Sequence, residues 1–333
     1  MRIFITGVAG FLGSHIADKL IAEGHEVAGC DNLICGSYEN FKKYADVDCC
    51  DTNAMKFLLD KFKPDVVVHC AATAHEGFSL YSPSFITRNI YEASVSVFSA
   101  AIASGVKRIV YMSSMARYGN QEPPFTEDMQ PKPIDPYGIA KVAAEDTLKV
   151  LCRLHDVKWS ILVPHNLIGV RQKYDDPYRN VASIMMNRLL QNKPPIIYGD
   201  GEQTRCFSPV ADVLPSIINA VAGWADSEVV NIGPDDSNNT LTIKALAEKL
   251  SNFTGYNGEA EYHPARGCDA KDAYCSSDKS RKLLYYTQMQ SVDNCLKEMI
   301  EDIKLKGTKD FNYFMPIEIP SDKCPRTWKE RLL

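Results

Sequence analysis

The chain has 333 residues, 45% of them apolar, and a formal net charge of -5. That is enough for one large or two modest domains with a sizeable core, and it excludes general disorder. The absence of any long basic run argues against nucleic acid as a partner. No apolar stretch approaches the ~20 residues that span a bilayer, so no membrane partner is expected. The opening "MRIFITG" runs straight into a strand and lacks the apolar stretch and cleavage site of a signal peptide. Eleven cysteines without a CxxC pair are too sparse for a disulfide scaffold and give no zinc spacing. They read as free thiols in a reducing cytoplasm, and no metal site is expected.

Short β-branched runs alternate with helical patterns. The expected strands are "RIFIT" (2–6), "EVAGCD" (26–31), "DVVVHC" (65–70), "RIVYMS" (108–113), "WSILVP" (159–164), "PIIY" (195–198) and "VVNIG" (229–233). Helical periods occupy about 11–23, 53–62, 82–104 and 136–155. This alternation predicts βαβ units on a parallel sheet, and the near-continuous apolar strands predict a sheet covered on both faces. The rhythm loosens after about residue 166, which points to a second, smaller α/β lobe. The tail from about residue 307 shows no clear period and is assigned no role.

Residues 7–13, "GVAGFLG", place Gly7, Gly10 and Gly13 between a strand and a helix. Glycines there permit a tight turn and let backbone approach a pyrophosphate at the helix N-terminus, although a glycine-rich turn alone proves little. Asp31 ends the second strand about 20 residues on, where a carboxylate accepts ribose hydroxyls and repels a 2′-phosphate. No arginine lies beside it in the sequence. The expected cofactor is therefore NAD rather than NADP. Asp48, in "DVDCCD", is a weaker candidate for the adenine side and reads equally well as a solvated loop acid.

In "DPYGIAK", Asp135 can cap a helix and Pro136 suits its first turn, so Tyr137 and Lys141 share one face. A nearby ammonium favours a phenolate, and such a pair can form a general base at neutral pH. In isolation the pair is also common on ordinary helices. It gains weight from the glycine turn and from "SSMARYG", which puts Ser114 just past the fourth strand at the ligand-binding edge of such sheets.

These stretches resemble the extended short-chain dehydrogenase/reductases of the nucleotide-sugar epimerase/dehydratase family. The matching segments run from "ITGVAGFLGSH" through "DNL", "HCAA", "SSMARYG", "DPYGIAK", "NLIGVRQ" and "IYGDGEQTRCF" to "ARGCD", about the first 285 residues. The resemblance implies a Rossmann doubly wound sheet over 1–166 with a returning segment at about 207–236. It implies a smaller sugar-nucleotide lobe from 167–206 and 237–333. Ser114, Tyr137 and Lys141 would form the catalytic centre. Gly7, Gly10, Phe11, Leu12, Gly13, Asp31, Asn32, Asp48, Cys49, Ala71, Ala72, Asn89, Tyr137 and Lys141 would contact NAD. Asn89 would support the backbone around the lysine. Ser114, Asn166, Arg205, Arg266, Asp269 and Ala273 would contact the nucleotide sugar, with a UDP-sugar favoured. Taken without the family, each arginine reads as a surface residue. Val163 and His165 depart from the family pattern near Asn166. His75 and Glu76 follow the third strand and are candidate specificity contacts, equally readable as loop surface. The two long helices resemble those of a homodimeric four-helix bundle.

The places after the catalytic serine carry Met115 and Ala116, which transfer no protons. The acid pair of dehydratases is therefore missing, as are the acid of uronate decarboxylases and the cysteine of 3,5-epimerases. What remains suffices for oxidation and reduction at one carbon, so a 4-epimerase is the leading expectation. Another epimerase or dehydratase using His75 or Glu76 stays open, as does a dinucleotide-sensing regulator. Ala273, four after Asp269, leaves room for a 2-acetamido group. A one-residue slip to Tyr274 would close that room.

Overall fold

A computed structural model describes residues 1–235, 239–267 and 271–333. Asp269 lies outside the described residues. The first half is a run of βαβ units: β1 (Arg2–Thr6), α1 (Phe11–Ala22), β2 (Glu26–Asp31), β3 (Ala45–Asp46), α2 (Thr52–Phe62), β4 (Val66–His69), a short α3 (Glu76–Ser79), α4 (Pro83–Thr87), α5 (Ala93–Ala103), β5 (Arg108–Met112), α6 (Pro136–Leu154) and β6 (Lys158–Pro164). Then follow β7 (Leu167–Ile168), α7 (Val181–Leu190), β8 (Ile196–Tyr198), β9 (Thr204–Cys206), β10 (Ser208–Pro209), α8 (Val210–Ala222) and β11 (Glu228–Ile232). The chain closes with β12 (Thr240–Thr242), α9 (Ile243–Thr254), β13 (Glu261–His263), β14 (Asp272–Ala273), α10 (Asp278–Leu284), α11 (Val292–Lys306) and α12 (Arg326–Lys329).

Seven strands form one sheet in the order β11-β6-β5-β4-β1-β2-β3, all pairs parallel. This is the Rossmann order, with its reversal between β1 and β4. Every residue of β4 is buried, as a central strand covered on both faces requires. One face packs α2, α5 and α6 through Met55, Leu59, Val97 and Leu148, and the other packs α1 and α8 through Ile16, Leu20, Val213 and Ile217.

The expected helix over 82–104 is α4 and α5 joined by a π turn at Arg88–Glu92. The seventh expected strand returns to the large sheet as β11, whereas "PIIY" becomes β8, paired with β13 away from it. A separate apolar cluster unites α7, α9 and α11 through Met185, Leu246 and Leu296. Residues 278–286 depart from the expected division of the chain. Leu284 and Tyr286 bury against Ile217, Val221 and Ile232, so α10 packs on the sheet side. The tail beyond α11 is also ordered into the molecule. Met315, Cys324 and Trp328 are buried with Phe78, Tyr81 and Tyr178. Among the described residues, no helix is long and apolar enough to cross a membrane.

Candidate active site

One cavity of about 450 Å³ opens at the C-terminal ends of the parallel strands, a volume typical of small-molecule sites. It is bordered by every sequence-predicted site residue that falls within the described chain.

At one end lies the glycine turn. Gly7 has φ +68°, and a Cβ there would meet the Ala71 backbone at 2.8 Å. A Cβ on Gly13 would collide with the Gly7 carbonyl, which is how α1 packs so closely on the turn. Gly10 is the N-cap of α1 and no side chain caps the helix, leaving a backbone cradle suited to an anion. Asp31 is buried at the end of β2. Its carboxylate accepts from Ala9 N at 3.0 Å and Leu33 N at 2.8 Å. Burial raises its pKa, and those backbone bonds oppose the rise. Gly36 crosses over it so closely that a Cβ would lie 2.7 Å from Asp31 Oδ1. Asn32 turns its amide oxygen back to Ile34 N at 3.2 Å. Asp48 is partly exposed and pairs with Arg88 at 3.1 Å, while Cys49 is buried 3.9 Å from the Cys30 sulfur. These groups fit a dinucleotide: a side-chain-free turn for pyrophosphate and a fixed carboxylate for ribose hydroxyls.

At the centre, Asp135 caps α6 by accepting from Gly138 N at 2.9 Å, and Pro136 occupies its first turn. Tyr137 and Lys141 thus face the cavity, both nearly fully buried. Burial pushes Tyr137 up to about 12, opposed first by the Arg179 charge and then by a hydrogen bond with Ser114. Burial pulls Lys141 down to about 7, opposed by Cys70 and Glu145. Lys141 Nζ donates to the Met112 carbonyl at 2.7 Å and lies 5.9 Å from the Tyr137 ring centre, and Arg179 is the leading charge that lowers the tyrosine. Asn89 borders the cavity within the π turn, but its amide donates to Phe85 O at 2.8 Å. The lysine Nζ is held by the Met112 carbonyl.

At the far end, Asn166 donates to Cys206 O at 3.1 Å, and Arg205 donates to Thr204 O at 2.7 Å. The Arg266 guanidinium lies 4.8 Å from the Tyr198 ring centre and 5.8 Å from that of Trp328. His165 is buried with Nε2 donating to Pro234 O at 3.0 Å, and burial lowers its pKa. Ala273 borders the cavity from β14 beside Arg205, with Tyr274 one place along the chain contributing its carbonyl to Phe125 N at 3.0 Å instead. Met115 and Ala116 also border the cavity, and Cys275 Sγ donates to Met115 Sδ at 3.2 Å.

Residues 3–233 match the model of the NAD dependent epimerase/dehydratase family. The chain belongs to this family. It is 30% identical to a UDP-glucose 4-epimerase of Mycolicibacterium smegmatis over 92% of this chain and all of the relative. It is 33% identical to a putative UDP-glucose 4-epimerase of Methanocaldococcus jannaschii, over 84% of this chain and 92% of the relative. Among solved structures, a UDP-glucose 4-epimerase of Thermotoga maritima with UDP-glucose superposes with a TM-score of 0.85 at 32% identity, over 92% of this chain and 99% of that one. A UDP-glucose 4-epimerase of Thermus thermophilus in complex with NAD gives 0.83 at 26% identity, over 91% and 99%. As an NAD-dependent family member, the chain has a cofactor that its glycine turn and Asp31 suit.

Within this epimerase/dehydratase frame, several cavity groups escaped the sequence reading. Asp176 accepts from His75 Nε2 at 2.7 Å, both side chains being nearly fully buried. Arg179 borders the cavity from the same loop. Behind Lys141, Glu145 is fully buried and accepts from Ser113 and from Arg117 at 3.1 Å. Glu145 stands four residues after Lys141 on α6, a spacing that could have flagged it. The loop and the tail carry no periodic signal.

Proposed function

We propose that the protein is a nucleotide-sugar 4-epimerase acting on UDP-sugars by transient oxidation at C4. The observation that carries this is the composition of the cavity at the strand ends. It joins a dinucleotide cradle to a buried Ser–Tyr–Lys group and presents Met115 and Ala116 where other family reactions need a proton-transfer group. In this reading Gly7, Gly10, Gly13 and Asp31 hold NAD, with Phe11, Leu12, Asn32, Asp48, Cys49, Ala71, Ala72 and Asn89 completing its pocket. Bound NAD supplies the hydride acceptor and donor.

The chain's own residues do the rest. Tyr137 Oη takes the C4 hydroxyl proton and later returns it, and Ser114 hydrogen-bonds the same oxygen. Lys141 lies behind the pair and supplies the positive field near the developing phenolate when protonated. Arg205 and Arg266 clamp the diphosphate, since guanidinium forks match phosphate oxygens. Asn166 and Asp269 complete the nucleotide contacts, and Ala273 lines the sugar pocket. Similarity to a UDP-N-acetylglucosamine 4-epimerase of Methanobrevibacter ruminantium, with a TM-score of 0.84 at 27% identity, supports a pocket that admits a 2-substituted sugar.

One observation favours a second reading. Glu76 borders the same cavity as Tyr137, so the site contains a carboxylate besides the Ser–Tyr–Lys group. A dehydratase could use it as its acid. Incubation with UDP-glucose and UDP-N-acetylglucosamine, followed by NMR of the products, separates the two. The 4-epimer is expected, and a 4-keto-6-deoxy sugar would favour the second reading.

A homodimer is part of the proposal. Ile139, Val150 and Leu154 are exposed along one face of α6. Exposed Tyr91 adjoins them and shares a 3.2 Å hydrogen bond with Thr147. A second copy would cover this face, and light scattering measures it. A reducing cytoplasm suits the ten described cysteines, all of them free.

A further inference from the structure

Tyr137, Lys141 and Glu145 follow one another at four-residue spacing on α6, so they lie along one side of the helix. The first two border the cavity. Glu145 lies one turn further along, is 0% exposed and has no part in the proposed chemistry. Both of its oxygens are bound. Ser113 Oγ donates to Oε1, and Arg117 Nη2 donates to Oε2 at 3.1 Å. Lys149 Nζ stands 4.0 Å from Oε2. Arg117, itself buried, gives Nη1 to Tyr118 Oη at 3.1 Å, and Tyr118 donates in turn to Asn231 Oδ1 at 2.8 Å. Asn231 extends the chain, donating Nδ2 to Phe125 O at 3.2 Å and its backbone N–H to Glu127 at 2.8 Å.

Ser113 and Arg117 stand on either side of Ser114. Their segment runs from the end of β5 into a single 3-10 turn, Met115–Tyr118, which Ser114 caps by accepting from Ala116 N at 3.2 Å. The same segment supplies the Met112 carbonyl that accepts from Lys141 Nζ at 2.7 Å. Ser113 N donates to Leu162 O at 2.7 Å, which anchors the segment to β6. Helix and turn meet closely, since a Cβ on Gly138 would lie 2.8 Å from Ala116 O.

We propose that Glu145 is a positioning residue for the catalytic centre: by gripping Ser113 and Arg117 it fixes Ser114 and the Met112 carbonyl relative to Tyr137 and Lys141 on α6. This rests on the reading of Ser114, Tyr137 and Lys141 as the reacting group. A buried ion pair is a poor way to gain stability, because desolvation offsets the attraction and apolar residues of similar volume serve as well. What the pair supplies is direction. An apolar contact tolerates sliding, whereas a carboxylate with a donor on each oxygen holds one geometry. Proton transfer at Tyr137 needs hydrogen-bond reach to the sugar oxygen, and a misplacement of ~1 Å costs about 10² in rate. Glu145 therefore acts on the chemical step and not on binding.

The test uses the full chain with UDP-glucose and UDP-N-acetylglucosamine as substrates. Arg117→Met combined with Glu145→Leu removes one charge of each sign and fills the space with apolar atoms. This double variant should melt close to the wild-type temperature. Its kcat should fall about 10- to 100-fold, while KM and the Kd of UDP change by less than about threefold. Bound NAD should be retained. Ser113→Ala leaves the ion pair in place and should lower kcat in the same way by a smaller factor, so it decides the matter if the double variant does not fold. Wild-type kcat in the folded double variant, or in Ser113→Ala, would overturn the proposal. So would a fall in kcat matched by weaker UDP binding or loss of NAD, which would make Glu145 general packing. A wild-type protein that epimerises neither sugar would instead overturn the functional reading on which the proposal rests.

Discussion

Lys141→Met should make the nucleotide-free protein more stable near neutral pH while removing activity. Lys141 is only 3% exposed, and burial lowers its pKa from 10.5 to about 7. The unfolded chain therefore binds one more proton than the folded chain between about pH 7 and 10.5. Wild-type stability contributed by this group rises with pH across that window, and the penalty is fully present below about 7. The difference corresponds to about 4 kcal/mol at pH 7, with a slope approaching about 1.4 kcal/mol per pH unit. Methionine removes the titration and keeps most of the volume. It gives up the bond to the Met112 carbonyl, a cost of about 1 kcal/mol that offsets part of the gain. Urea unfolding of both proteins at pH 7, 8, 9 and 10 measures the effect. The variant's advantage should be largest at pH 7 and shrink steadily toward pH 10. A stability difference that stays constant over this range would refute a desolvated, titrating Lys141.

Tyr137→Phe should lower kcat by about 10²–10⁴ while NAD content and fold survive, measured by steady-state kinetics and by nucleotide released on denaturation. Near-normal kcat would remove Tyr137 from the chemistry. Asp31→Ala should weaken NAD retention, read by the same extraction, and NADP in the wild-type extract would contradict the role given to Asp31. Ala273→Tyr should shift the ratio of kcat/KM for UDP-N-acetylglucosamine over UDP-glucose toward the plain hexose, and an unchanged ratio would show that Ala273 is not the gate.

What could be read from the sequence was local. The glycine turn, the end of β2 and the cap of α6 are each written in consecutive residues, because a tight turn, a strand end and a helix start are set by short-range geometry. The π turn at Arg88–Glu92 has no such signature, and the helix pattern ran through it unbroken. The seating of α10 depends on Leu284 meeting Ile217 and Ile232, a pairing distant in sequence. The same holds for the tail. Its aromatic residues follow no period because they fill gaps between Phe78, Tyr178 and Tyr198 instead of lining one helix face. Burial dominates the titration of Tyr137 and Lys141, and burial follows from the packing of the whole sheet. The i,i+4 spacing pointed to the pair but not to Arg179, a loop residue distant in sequence whose charge also acts on the tyrosine.

The central claim is transient oxidation at C4 with the hydrogen returned to the same carbon. A UDP-sugar carrying deuterium at C4, incubated with the protein in ordinary water and followed by NMR, tests it directly. The account predicts the C4 epimer with its deuterium still at C4. Loss of the label to solvent, or a product altered at another carbon, would contradict it.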